Sequence, residues 1–197
     1  ITTIIISLKI TKTDEINGLL RLCSLLNNEY TDFAENLEDL LIKEIDKEFS
    51  VFSKFQRRLG QGTEQPIDLN EFATKQRKNL RLLTEFVFVK IFEDDAILVE
   101  TVQKFMKKEL KDKTFVILSI LSNFIKYAGE ECTGKMSKSL RSCYKTVSTK
   151  PEKKPRVLEQ STFTELKKIL LAFFARRFNK LKELKELKLF FYANFFS

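Results

Sequence analysis

The chain has 197 residues, of which 43% are hydrophobic, and a formal net charge of +8. It contains no His, which excludes Ser-His-Asp and Cys-His triads and imidazole zinc sites within this sequence. Its three cysteines are widely spaced and form no CxxC pair, which indicates a reducing compartment without a disulfide framework. The most apolar run, FVILSILSNFI at 115–125, is about half a bilayer span, so no membrane contact is expected.

Apolar residues recur with a helical period through nearly the whole chain, and no strand alternation of useful length appears. With only five Gly and three Pro, long elements are expected. The predicted helices before a polar linker are, in chain order, 13–28, 33–59, 69–92, one that starts at the acids 93–95, 114–128 and 135–148. Gly129 is predicted to end the fifth of these helices.

The linker STKPEKKPRVLEQS precedes a last amphipathic helix, for which Thr162 and Glu165 predict a T-x-x-E capping box. Short links between amphipathic helices favour antiparallel neighbours. We therefore predict an all-α fold, a HEAT-like α-solenoid of antiparallel helical hairpins with a long C-terminal amphipathic helix. The expected division is a helical-repeat domain at 1–148, a basic polar linker at 149–161 and a final helix at 162–197 that packs on or extends from the same domain. The chain starts without Met, so we expect a fragment of a longer protein.

The stretch GEECTGKM at 129–136 comes close to a phosphate-binding loop. Such a loop follows a strand and needs a hydroxyl after its Lys, whereas here a helix is predicted before it and Met136 stands in that position. Glu130 and Glu131 would also repel phosphate. The stretch is therefore interpreted as a turn between two helices, and no cofactor, small-molecule substrate or catalysis is expected.

Charge is distributed unevenly along the chain. Residues 29–48 hold eight acidic side chains against two basic ones, and residues 135–156 hold eight basic side chains against one acid. The basic tract could contact RNA or an acidic partner. The candidate contacts are Lys138, Arg141, Lys145, Lys153, Lys154 and Arg156. The other interpretation is a solvated linker, because Tyr144 is the only aromatic residue in the tract and base stacking would be scarce.

The segment LCSLLNNEYTDFAENL at 22–37 joins two predicted helices through a turn, and the residues that mark it are Leu22, Cys23, Tyr30, Asp32 and Phe33. It resembles the first middle domain, of the initiation-factor-4G type, in the regulator-of-nonsense-transcripts-2 family, the up-frameshift scaffolds of nonsense-mediated mRNA decay. The resemblance continues in SLKITKTDEING, NLRLLTEFVFVKIFED, YAGEECTG and FTELKKILLAFF. The extended Phe-rich second helix and the terminal LFFYANFFS have no counterpart in that pattern.

The resemblance implies a non-catalytic scaffold whose partners are other mRNA-decay or surveillance proteins. It also implies a cytoplasmic location, the perinuclear region included. No family binding residue can be carried over to this sequence. Two alternatives stay open: a related middle domain of the translation-initiation or cap-binding machinery that clamps an RNA helicase, and a module that binds RNA directly, weakly and without sequence preference.

The turn of the resembling segment leads to a structural expectation. Phe33 is predicted to plug the turn between its two helices, with Tyr30 packed beside it. Cys23 lies in an apolar helical stripe and is predicted to be a buried structural thiol rather than a nucleophile. In this interpretation the motif serves fold stability and not ligand contact.

Overall fold

The computed structural model describes residues 1–8, 13–58, 68–112, 114–132, 158–173, 175–176 and 179. All regular secondary structure in this part of the chain is helical, which confirms the all-α class. The helices are α1 Thr2–Ser7, α2 Thr13–Glu29, α3 Phe33–Arg58, α4 Leu69–Phe88, α5 Ala96–Glu109, α6 Val116–Cys132 and α7 at 160–173. None of the described helices is long and apolar enough to cross a bilayer.

Helix α4 lies at the centre of the hydrophobic core. Eleven of its 20 residues are buried, and it packs most extensively on α6 and α3. Its start is well defined, because the carboxylate of Asp68 accepts hydrogen bonds from the backbone N–H groups of Asn70 and Glu71. A helix buried over so much of its surface has apolar residues on more than one face, and α4 therefore organises the helices on both sides of it.

Side-chain contacts fix the relative directions of the helices. The α3 carbonyl of Ile45 accepts a 3.0 Å hydrogen bond from Gln76, whereas Phe52, two turns later in α3, stacks on Phe72 with ring centroids 4.5 Å apart. The later residue of α3 therefore contacts the earlier residue of α4, which means that these two helices are antiparallel. On α4 and α6, Arg77 contacts Ser119 and Thr84 contacts Tyr127, so these two helices are parallel.

The odd-numbered helices α3, α5 and α7 also share one direction. Asp46 and Ser53 of α3 contact Lys104 and Lys108 of α5 at 2.7 and 2.9 Å, in the same order along both helices. Along α5 and α7 the pairs Asp95–Thr162 and Gln103–Glu165 follow one another in the same sense. Alternate helices are therefore parallel, while α3 and α4, which are neighbours in sequence, are antiparallel.

The α4 helix ends four residues earlier than predicted, at Phe88, and Lys90 explains the difference. Lys90 has a φ of 61°, the left-handed conformation that usually marks a Gly after a helix. Its N–H donates to the carbonyl of Val87, and the N–H of Ile91 donates to the carbonyl of Phe86 at 2.9 Å. This hydrogen-bond pattern ends the helix without a glycine, so no residue type in the sequence marks the end.

Gly129 does not end the helix to which it belongs, contrary to the prediction. The α6 helix continues to Cys132, and the added Cβ of an Ala at Gly129 would meet Ile125 at an ordinary 3.6 Å. Ala128 and Glu131 on either side are both buried. The packing of α6 on the core thus continues past the glycine and outweighs its low helix propensity.

The predicted capping box at Thr162 is also wrong. Helix α7 begins at residue 160, and the first helical hydrogen bond runs from the N–H of Phe163 to the carbonyl of Glu159. Thr162 instead donates its hydroxyl to Asp95 at 2.7 Å, and the N–H of Glu159 donates to the same carboxylate at 2.6 Å. Asp95 is 4% exposed. The hydrogen-bond donors at the start of α7 are therefore satisfied by a buried carboxylate that is distant in sequence.

Parts of the predicted division lie outside the described residues. These are the sixth helix at 135–148, most of the linker at 149–161, and residues 180–197 of the final helix. The described part of the final helix packs on the main body, where Leu166 is fully buried and Glu165 accepts a 3.0 Å hydrogen bond from Gln103. The three-part division itself stays a prediction.

Candidate interaction surface

The turn between α2 and α3 is built on Phe33. This side chain is 6% exposed and belongs to the main hydrophobic core, as predicted. Its N–H donates to the carbonyl of Tyr30 at 3.2 Å, and the carbonyl of Asp32 accepts hydrogen bonds from both the backbone N–H and the side-chain amide of Asn36. Hydrogen bonds therefore fix the backbone of the turn before and after Phe33, and the Phe33 ring anchors the turn in the core.

Cys23 is a structural residue in this hairpin. The thiol is fully buried, and burial raises its pKa to about 12. A thiol with that pKa is almost entirely protonated at neutral pH and is a poor nucleophile. The prediction that Cys23 is buried is confirmed.

Tyr30 was predicted to pack beside Phe33, and this prediction is wrong, because its ring does not enter the core. Its side chain is 56% exposed. The position is fixed through the backbone, where the N–H of Tyr30 donates to the carbonyl of Leu26 at 2.9 Å. The ring is therefore free to meet a partner at the end of α2, and part of the motif faces solvent.

A second exposed apolar feature lies along α2, and we call it the α2 stripe: Gly18, Leu22 and Leu25. Leu22 is 49% and Leu25 is 64% exposed, and nothing lies within 4 Å of a Cβ built on Gly18. Their i, i+4, i+7 spacing places them on one side of the helix. The buried residues Ile16 and Cys23 lie on the opposite side. Sequence reasoning assigned Leu22 to the structural motif and missed the stripe.

The turn after α2 and the first turns of α3 are acidic. Asp32, Glu35 and Asp39 are exposed on the turn and the first turns of α3. The pKa of Glu38 is raised, first by its partial burial and then by the neighbouring carboxylates of Asp94, Asp39 and Glu35. Such a concentration of negative charge favours a basic partner and disfavours nucleic acid on this face.

A half-buried polar cluster lies where α4 meets α6. The Arg81 guanidinium lies 5.5 Å from the centre of the Tyr127 ring and its Nε is 3.9 Å from the Glu85 carboxylate. The pKa of Glu85 is raised, chiefly by burial and further by Glu131, although Arg81 acts against that shift. Arg81 and Glu85 belong to the resembling segment at 79–94, and Arg81 links the two helices through its contact with Tyr127.

The predicted basic contacts Lys138, Arg141, Lys145, Lys153, Lys154 and Arg156 all lie outside the described residues, so this prediction stays untested. Of the stretch that resembles a phosphate-binding loop, Gly129–Cys132 is helical. A phosphate-binding loop presents a run of backbone N–H groups to the phosphates, and these are not available inside a helix. Among the described residues, no group of three or more His, Cys, Asp or Glu could hold a metal ion.

Comparison with known proteins gives one match of note. Over 116 residues, or 57% of this chain, the sequence is 31% identical to Regulator of nonsense transcripts UPF2 of Arabidopsis thaliana. The match spans 9% of the length of that relative. No model of a protein family matches the chain, and no solved structure matches it. The similarity suggests a UPF2-like relation, and it concerns a small part of that protein.

Proposed function

We propose that this chain is a non-catalytic scaffold domain of a factor in nonsense-mediated mRNA decay, equivalent to the first middle domain of the initiation-factor-4G type. The observation that carries the proposal is the 31% identity to UPF2, taken with the resembling segment at 22–37. The all-helical fold is compatible with such a role. The location we propose is the cytoplasm, where mRNA surveillance accompanies translation.

The arrangement of the helices supports a HEAT-like solenoid. In such a fold each antiparallel hairpin stacks on the next, so that alternate helices run parallel and neighbours run antiparallel. The contacts of α3 with α4, of α3 with α5, and of α4 with α6 follow this rule. Stacked hairpins leave long ordered surfaces that suit the assembly of several partners.

The α2 stripe is the surface that we propose for protein docking. Helix α2 packs mainly on α3, so its outer side is available at one end of the helical array. The exposed Leu22 and Leu25, one and two turns beyond the bare Gly18 position, would accept the apolar side of a partner helix. The nearby acids Asp32, Glu35 and Asp39 favour a partner whose flanking residues are Lys or Arg.

Affinity capture from cell extract, read by mass spectrometry, tests the proposal. The wild-type chain should enrich known mRNA-decay factors, and Leu22→Glu/Leu25→Glu should lose them. The matched control is Val51→Glu/Leu171→Glu, which places the same charge on two similarly exposed apolar positions away from α2. This control should retain the decay factors.

The other outcomes are equally informative. Enrichment of an RNA helicase together with translation-initiation factors would favour the related middle domain of that machinery. Equal loss in the control and the stripe variant would mean that added negative charge, rather than the α2 stripe, disrupts the contact. Retention of the decay factors by the stripe variant would place the docking surface elsewhere.

A further inference from the structure

The C-terminal ends of α3 and α5 form a cavity that lies apart from the α2 stripe. Because these helices are parallel, their last turns lie side by side. The cavity has a volume of about 360 Å³. Its lining residues are Phe52, Ser53, Gln56, Arg57, Lys108 and Lys111. Three of the six are cations, and the walls therefore combine positive charge with hydrogen-bonding groups.

The charge around this cavity is one-sided. Residues 53–58 and 107–112 together contain six basic side chains and two acidic ones. Of the acids, Glu109 is buried, and Asp112 accepts hydrogen bonds from Gln56 and from the backbone of the next turn. The corner therefore presents positive charge to solvent.

Basic residues in the last turn of a helix commonly stabilise the negative end of its dipole, and that is the simpler explanation of this charge. It does not account for the contrast with three other lysines on these helices. Lys43, Lys47 and Lys104 each pair with a carboxylate, at 3.1, 3.3 and 2.7 Å. Arg57 and Lys111 are exposed at the cavity, and among the described residues no salt bridge involves them.

An exposed aromatic residue, Phe115, follows the cavity residue Lys111 by four positions in the sequence. Phe115 has a φ of 60°, which is costly for a bulky side chain, and it is 57% exposed. The turn that holds it is fixed by Asp112, which accepts from the N–H groups of Thr114 and Ile117 at 2.7 and 2.8 Å. Gln56 of the cavity wall donates to Asp112 and Thr114. The turn that carries Phe115 is thus joined to the cavity wall, and the residue is held in a conformation that folding alone does not favour.

We propose that this surface, the α3–α5 corner of Arg57, Lys108, Lys111 and Phe115, binds single-stranded RNA. The cations would contact consecutive phosphates, and a base would stack on the exposed ring. Cations beside an accessible aromatic face are the elements that single-strand binding uses, and every base offers a π face. An acidic peptide would use the cations and leave Phe115 without a role. Binding should therefore be weak, salt-sensitive and indifferent to sequence.

This inference does not depend on the proposed scaffold function. It involves other residues than the α2 stripe, and its readout is RNA affinity rather than protein capture. It also differs from the predicted contact through residues 135–156, because all variants below leave that tract intact. Loss of affinity in a corner variant must then come from the corner.

The first test measures binding of a labelled oligouridine by fluorescence anisotropy at several salt concentrations. We expect Arg57→Gln/Lys111→Gln to weaken binding about tenfold and to reduce the slope of log affinity against log salt by about 1.4, since each phosphate on a single strand contributes about 0.7. Lys43→Gln/Lys47→Gln makes the same change of net charge on the acidic half of α3 and should bind like wild type. Equal affinities for the two variants would overturn the proposal.

The second test concerns the ring. The chain has no Trp, so Phe115→Trp introduces a single reporter whose fluorescence should be quenched when a base stacks on it. Phe115→Gly relieves the positive φ, so it should fold at least as stably as wild type and still lose about fivefold in RNA affinity. Unquenched Trp emission at saturating RNA, or unchanged affinity of the Gly variant, would show that no base stacks at position 115 and would overturn this part of the proposal.

A third arm distinguishes RNA from an acidic protein. A polyglutamate peptide that carries the same number of charges as the oligouridine should bind more weakly, and its affinity should not change in Phe115→Gly. Tighter binding of the peptide would assign the corner to a protein partner and overturn the assignment to RNA.

Discussion

Two consecutive turns of this molecule contain a non-glycine residue in the left-handed conformation, and they use it differently. In the α4–α5 turn, Lys90 closes a helix, its neighbour Ile91 enters the core, and Asp95 links the turn to α7. In the α5–α6 turn, Phe115 keeps its ring in solvent. The same backbone strain thus accompanies a buried network in the first turn and an exposed aromatic in the second. The first is explained by stability, and the second suggests a ligand.

The largest expected effect comes from Asp95→Ala. The substitution leaves the N–H of Glu159 and the hydroxyl of Thr162 without their buried acceptor and removes the partner of Lys90 at 3.8 Å. We expect the free energy of unfolding to fall by about 3 kcal/mol. Urea denaturation followed by circular dichroism measures it. A loss below about 1 kcal/mol would show that α7 is held by apolar packing alone.

Asp112→Ala should have a smaller effect in the second turn. Asp112 is half-buried and accepts from Thr114, Ile117 and Gln56, so its role is that of a helix cap with one long-range contact. The expected loss in the same denaturation experiment is about 1.5 kcal/mol. If Asp112→Ala destabilised the fold as much as Asp95→Ala, the two turns would be equally structural and the contrast would disappear.

Glycine substitutions probe the strain directly. Lys90→Gly should unfold with a free energy about 0.5 to 1 kcal/mol higher than that of Lys90→Ala, because both variants lose the 3.8 Å contact with Asp95 and only glycine relieves the left-handed strain. Phe115→Gly should be neutral or slightly stabilising, since some ring packing is lost as well. The controls Lys90→Ala and Phe115→Ala keep the strain and should show no gain in thermal denaturation.

The smallest effect is a pH dependence in the last turns of α4. Burial raises the pKa of Glu85 above its ordinary value, so the folded state favours the protonated carboxyl. The stability linked to this group is complete below its unfolded pKa and is lost as the pH rises through the raised folded pKa. Glu85→Gln should therefore raise the melting temperature at neutral pH and leave it unchanged near pH 3. A shift of equal size at both pH values would argue against burial as the cause.

The sequence predicted α2 and α3 nearly to the residue, because their apolar stripes are long and both end in clear polar or glycine-containing segments. Helix ends were missed where the stop depends on an unusual conformation or on a distant residue. Lys90 adopts a backbone that glycine usually marks, Gly129 continues a helix, and Thr162 finds its acceptor in Asp95. Local patterns cannot show any of these three.

The surfaces were harder to foresee than the helices. Leu22 and Leu25 look like ordinary members of a leucine-rich helix until the neighbours of α2 are known. The α3–α5 corner combines residues about fifty positions apart, which only the parallel packing of the two helices brings together. Sequence reasoning searched for a continuous run of charge and found residues 135–156, whose structural context lies outside the described part of the chain.

The link between Asp95 and α7 has a consequence for synthesis of the chain. A growing polypeptide emerges from its N-terminus, and domains begin to fold as they appear. When α4 and α5 have emerged, Asp95 still lacks Glu159 and Thr162, which follow it by 64 and 67 positions. Its carboxylate must stay hydrated until then, so the α4–α5 turn remains open to water. The arrival of α7 is therefore the step of vectorial folding that excludes water from a corner built much earlier.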